Sequence, residues 1–318
     1  MVDSIFTSEA THLSGEPAIL YFGTPVVLIS STNEDGSFNL APMSSAFWLG
    51  WRCILGLAAT SKTTQNLKRT GECVLNLPSV DEVTAVNRIA LTTGTDPVPN
   101  GKAVRGYRYE KYKFETASLT PVRSETIAPP RALECPVHLE ARVEHFRDLA
   151  ANDEKVRGRT VIFEARIQRV HLAKSILLNG DPNRVDPDKW RPLIMSFQKF
   201  YGLAPEQVHA SRLSQVPEAL YRSPDVDRAR AIHGQISATA APGWQLPDRA
   251  SAWLPNPAVL PVLPSDPWLR RCLHAACGLR DRRRQRRELL ELDERSLADF
   301  GISRGQALFE GRKLFWRR

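Results

Sequence analysis

Residues Gly36–Gly50 read GSFNLAPMSSAFWLG and continue as Trp51–Leu77, WRCILGLAATSKTTQNLKRTGECVLNL. Two apolar runs, Arg52 to Ala59 and Cys73 to Leu77, have strand length and carry β-branched or bulky residues. Between them lies a polar segment. Ser61-Lys62-Thr63-Thr64 opens a short helix over Thr63 to Arg69, and Gly71 just beyond it is a stop signal. Upstream, Asn33-Glu34-Asp35-Gly36 is a turn, since Asp-Gly is a strong hairpin signal. It joins a buried strand within Ala18 to Ser31 to a return strand starting at Phe38. Strand, hairpin turn, strand, strand, short helix, strand is the order of a mainly β domain whose helices are peripheral.

Further along, Asp81 to Leu91 reads as a helix capped by Ser79 or Asp81. Thr92 to Lys113 is polar and punctuated by Gly and Pro, hence loop. Val137 to Phe146 and Thr160 to Leu172 alternate well enough to be long antiparallel strands. Trp190 to Tyr201 is aromatic and is expected to pack on the β domain or on a partner subunit. From Ser223 the pattern dissolves. Pro242 to Pro267 holds seven prolines in 26 residues, the composition of a semi-rigid linker. From Trp268 the period is helical again. Three parts follow: residues 1–222 as the β domain, 223–266 as linker and 267–318 as a small helical module.

Composition sets bounds. The chain has 318 residues, 42 % of them hydrophobic, enough for a real core. Its apolar runs fall far short of the roughly 18–20 residues that cross a bilayer, so no membrane role is expected. The N-terminus lacks a basic start followed by an apolar stretch, and no secretory signal is expected. The five cysteines have no CxxC spacing. Cys53 and Cys73 fall in strand patterns, and buried thiols in a reducing cytoplasm are expected rather than disulfides or a metal site. The net charge of +8 is uneven, because residues 268–318 hold 14 Lys+Arg against 7 Asp+Glu. Arg280 to Arg287 alone has six arginines in eight residues. Clustered arginines on one helix attract polyanions such as RNA. A solvated basic face on a helical hairpin is the alternative.

The chemistry concentrates where the reading began. A phosphate monoester needs charge compensation and several donors. Lys62, the hydroxyls of Ser61, Thr63 or Thr64, and free amides at a helix start would supply them. An ordinary N-capped surface helix is the alternative. Pro42-Met43-Ser44-Ser45-Ala46-Phe47 joins small polar and aromatic residues that could lie against a flat ring; a turn beside a core Phe is the alternative there. Together the two segments suggest a pocket for a phosphorylated, planar cofactor. No G-x-S-x-G, H-E-x-x-H, P-loop or GxGxxG motif is present. His138, His145 and His171 lie in strand-like stretches and read as core or surface histidines. Arg88 and Arg105 are within plausible reach of a nucleotide or are solvated.

The ordered set Asp35-Gly36 to Phe47, Ser61 to Leu67, Gly71 to Leu77, Pro129-Pro130-Arg131 and Glu134 to Glu140 resembles the flavin reductase-like family of FMN-binding split barrels, over about residues 15–215. The resemblance implies a six-stranded antiparallel Greek-key barrel, a homodimer and FMN bound near the dimer interface. It implies that Asn39, Ser44, Ser45 and Phe47 border the flavin ring. Ser61, Lys62, Thr63 and Asn66 would then hold the phosphate, with Leu57 and Ala59 lining the same strand end. The implied activity is hydride transfer from NAD(P)H to flavin, with no catalytic side chain and no metal. Leu290 to Arg304, with the final Phe315-Trp316-Arg317, resembles the small arginine-rich YjiS-like bacterial proteins over about residues 267–318. An RNA-associated protein whose flavin barrel is a sensor or scaffold is the alternative function.

Overall fold

A computed structural model describes residues 12–238. The strands and helices, in chain order, are β1 (Phe22–Pro25), β2 (Val27–Thr32), β3 (Phe38–Met43), β4 (Ala46–Leu49), β5 (Arg52–Ala58), α1 (Lys62–Thr70), β6 (Glu72–Leu77), α2 (Val83–Arg88), β7 (Thr92–Thr93), α3 (Asn100–Ala103), β8 (Arg108–Tyr109), α4 (Lys113–Ala117), β9 (Pro121–Val122), β10 (Arg131–Ala132), β11 (Val137–Asp148), β12 (Thr160–Leu172), β13 (Ile194–Ser196), β14 (Lys199–Tyr201) and α5 (Pro224–Ala238). Among the described residues no helix is long and apolar enough to cross a membrane.

Seven strands form one sheet in the order β3-β2-β6-β11-β12-β5-β4, every pair antiparallel. Its two edges, β3 and β4, are consecutive in the chain and separated only by Ser44 and Ser45. Period-two alternation sends Cys53, Leu55 and Leu57 of β5, Cys73 and Leu75 of β6, and Val161, Phe163, Ala165 and Ile167 of β12 into a single core. β2 is buried on both faces. Val27 and Ile29 join that core, while Val26 and Leu28 join a second cluster with Val86, Ile89, Phe114 and Leu193 beneath α2 and α4. This two-sided burial explains the unbroken apolar run in the sequence.

The α1 boundaries follow the local chemistry. Ser61 is the N-cap and its Oγ accepts from the Thr64 amide at 3.1 Å. Gly71 ends the helix at φ 68°, a left-handed conformation that favours glycine. Lys68 and Arg69 occupy the last turn, where they oppose the negative end of the helix dipole.

The structure departs from the sequence reading in four places. The segment read as one strand up to Ser31 divides at Val26. β1 pairs with β13 and β2 with β3 and β6. The helix after Ser79 begins as a single 3₁₀ turn, held by a capping box with Glu82, before α2. The loop from Thr92 to Lys113 contains β7, α3 and β8. Residues 224–238, read as the start of the linker, form α5, which packs on β12 with Ala229 buried. Pro224 at its first position and Asp225 and Asp227 in its first turn are helix-start signals. The Pro242–Pro267 stretch and the basic module from 267 lie outside the described residues, as do Cys272 and Cys277.

Candidate functional site

A cavity of about 650 Å³ opens where the start of α1 meets the Ser44–Ser45 segment. Of the sequence-selected residues, Asn39, Ser44, Ser45, Leu57, Ser61, Lys62 and Thr63 line it together. Three do not. Phe47 is 53 % exposed, because β4 alternates and sends Ala46 inward and Phe47 outward. Asn66 is fully buried on the inner face of α1, where its Nδ2 donates to Ser31 Oγ at 3.0 Å and Asn33 Oδ1 at 2.9 Å. Ala59 packs against the main core. Arg88 and Arg105 also stay out of the cavity. Arg88 donates to Ser118 Oγ at 2.8 Å and Arg105 to the Gly101 carbonyl at 2.7 Å.

The helix start is organised by hydrogen bonds. Asn39 Nδ2 donates to Thr63 Oγ1 at 3.0 Å, tying β3 to α1. Asn39 Oδ1 is buried and has no partner. An unsatisfied buried acceptor costs about 1–3 kcal/mol, so a ligand hydroxyl or N–H placed there gains correspondingly. Gly94 closes the cradle: a Cβ on it would stand 2.7 Å from that same Oδ1 and 3.2 Å from Lys62 Cβ and Cγ. Only glycine leaves this space open. Lys62 Nζ lies 3.2 Å from Glu34 Oε2, across a smaller neighbouring cavity of about 240 Å³. The Thr64 amide is taken by the Ser61 cap, and the Lys62 and Thr63 amides, which precede it in α1, belong to residues that line the cavity at the positive end of the helix dipole.

Sequence reasoning missed the rest of the lining. Thr92, Thr93, Gly94, Lys102, Tyr107 and Lys113 come from the segment read as plain loop. Lys102 Nζ is 3.1 Å from Thr93 Oγ1 and 5.5 Å from the Tyr107 ring centroid. Lys113 is only 3 % exposed, and burial followed by the Lys102 charge pushes its pKa down to about 7. Val86, Ala90, Met195 and Phe200 form an apolar side. Tyr21 reaches in from the chain before β1, its hydroxyl 2.9 Å from Ser45 Oγ. No local sequence signal marks these residues, because each reaches the cavity through long-range packing.

Three groups of ionisable residues in the β domain are buried away from the cavity lining. Glu140 is fully buried. Burial raises its pKa, but His171, the Thr126 hydroxyl and the Glu125 and Thr126 amides outweigh it and leave the group below its ordinary value. His138 Nε2 donates to the Ala132 carbonyl at 2.7 Å, and burial drives the pKa of the ring down to about 4. Cys53, Cys73 and Cys135 are free and buried, and burial raises all three thiols.

The donor set and the cavity suit a phosphorylated planar group. Residues 19–204 match the model of the flavin reductase like domain, and residues 272–308 match that of the YjiS-like domain. An uncharacterized protein of Bacillus subtilis, YdfE, is 40 % identical over 191 residues, covering 60 % of this chain and 89 % of its own. Among solved structures, nitrilotriacetate monooxygenase component B from Bacillus cereus has a TM-score of 0.50 at 21 % identity, covering 64 % of this chain and all of its own. Flavoredoxin of Desulfovibrio vulgaris has a TM-score of 0.50 at 20 % identity, covering 64 % and 97 %. Both show the shared fold.

Proposed function

The chain belongs to the flavin reductase-like family, with a distinct YjiS-like domain after it, and on that premise we propose an FMN-binding oxidoreductase that draws hydride from NAD(P)H. One observation carries the reading. A nine-residue helix starts at a cavity whose rim holds Lys62, a buried unpartnered Asn39 Oδ1, and a glycine that keeps the space clear.

When bound, FMN supplies the redox chemistry: it takes up a hydride and hands on electrons. The chain's own residues bind and orient. Lys62, the α1 first-turn amides and the hydroxyls of Ser61 and Thr63 hold the phosphate. Asn39, Ser44 and Ser45 supply polar contacts with little bulk beside the ring, and Leu57 lines the wall. Phe47 and Asn66 serve the fold instead, the first at the sheet edge and the second under α1. We further infer that β3 and β4 are two halves of one strand bent at Ser44–Ser45. That strand closes the sheet as a six-stranded Greek-key barrel, and the protein is a homodimer. The three free buried thiols accord with a reducing cytoplasm.

Absorbance of the purified full chain is the test. Flavin bands bleached by NAD(P)H are expected. Lys62→Ala with Thr63→Ala should weaken FMN binding by about 2–4 kcal/mol, from partial loss of two charge-assisted contacts. A double variant with unchanged flavin content would overturn the phosphate assignment. The basic tail favours a second activity, RNA association, in which the barrel is a sensor or scaffold; its carrier is the net +7 of residues 268–318.

A further inference from the structure

Three lysines line the cavity, Lys62, Lys102 and Lys113, and no carboxylate does. Lys62 has an outside partner in Glu34. The other two have none. Lys102 touches only a hydroxyl and the face of an aromatic ring. The Lys113 ammonium makes no hydrogen bond or ion pair among the described residues, although its side chain is almost wholly buried. Its nearest influences are Lys102, of the same sign, and Glu110. Glu110 is committed elsewhere: it accepts from the Tyr112 amide at 3.0 Å and stands 3.6 Å from Arg108 Nη1. A buried ammonium without a counter-ion, next to a second one, is costly unless an anion arrives.

These two lysines line the cavity together with the apolar side made by Val86, Ala90, Met195 and Phe200. We propose that Lys113, with Lys102, forms a second anion site in this cavity, besides the one at Lys62. It receives the carboxylate or phosphate of the compound that exchanges electrons with the flavin. The apolar side receives that compound's hydrocarbon or aromatic body. The inference rests on the flavin reading for the role of the ligand, but not for the existence of the anion site.

Calorimetric titration of the full chain, both flavin-free and saturated with FMN, separates the possibilities. The probes are NADP⁺ for a phosphate, benzoate for a carboxylate and benzamide as the neutral control. One of the two anions is expected to bind, with benzamide at least tenfold weaker than benzoate if the carboxylate responds. Lys113→Met, which keeps an unbranched apolar stem, should weaken that anion tenfold or more. Lys113→Arg should restore most of the loss, and both variants should keep FMN affinity within threefold. Binding of neither anion would overturn the proposal, as would anion affinity unchanged in Lys113→Met. A tenfold loss of FMN itself in that variant would also overturn it, by giving Lys113 to the flavin phosphate. Failure of the wild-type chain to bind FMN would sink the flavin reading alone, since the flavin-free titration still decides the anion site.

Discussion

Single residues decide the electrostatics of the cavity. Lys113 is a cation placed where water barely reaches, and its proton comes off at about pH 7 in the folded chain. An unfolded lysine keeps that proton to about pH 10.4. Between the two values the unfolded state binds more protons. The group's contribution to stability therefore rises with pH, by roughly 1.4 kcal/mol per unit, and its penalty is complete below pH 7. Lys113→Met should accordingly stabilise the ligand-free protein most at pH 6 and progressively less toward pH 10. Melting curves across that range check this, and a pH-independent difference would mean that Lys113 is solvated. Lys102 and Glu110 are the charges that face it and would shift the midpoint in opposite directions. The polar residues of α1 were legible in the sequence because capping acts within a few positions. Ser61 three residues before Thr64 is enough to predict the bond between them. Lys102 and Lys113 were not legible, since nothing in their neighbours shows that the segment folds back over β3.

At the scale of elements, alternation along strands carried most of the information. β5 and β12 show it, and their inward residues are those the pattern selects. β4 follows the same rule. The two residues at the Ser44–Ser45 bend set the phase of the strand, and Phe47 faces out as a result. α5 is the other instructive case. It is tied to the sheet by Asp225, which lies 3.1 Å from Arg52 Nε and 2.7 Å from Arg228 Nη1, and by the buried Ala229. Arg52 also reaches Glu164 at 2.5 Å and Glu144 at 3.4 Å. Truncation after Ala238 should therefore retain the stability of the β domain. Truncation after Arg222 should lose about 1–2 kcal/mol, the scale of a partly exposed ion-pair network and one small buried side chain. Urea midpoints of the two fragments decide it, and equal midpoints would show that α5 only lies against the surface. The helix was hard to read because, among its described side chains, only Ala229 of the apolar ones is fully buried and Val226 and Ile232 are half-buried, which leaves little hydrophobic period.

For the whole molecule, charge and the two family matches divide the chain into two units. Residues 1–267 are almost neutral and the tail is not. Full-length protein should bind single-stranded RNA with an affinity that falls as salt rises, by about 0.7 in log K per log unit of salt for each phosphate contacted. Deletion of residues 268–318 should abolish this and leave flavin absorbance intact. Fluorescence anisotropy at low and moderate salt measures the first, and RNA binding that survives the deletion would refute the assignment. By itself the sequence determined the mainly β class, the α1 start with its cap and its terminal glycine, and the division between a neutral body and a basic tail. These depend on periodicity, capping and composition, which act over a few residues or need no fold at all. Only the tertiary structure decided which side chains share the cavity: that Phe47 leaves it, that Gly94 opens it, and that Lys102 and Lys113 enter it. Such convergence depends on how distant segments pack, and packing energy is a property of the assembled core rather than of any local stretch.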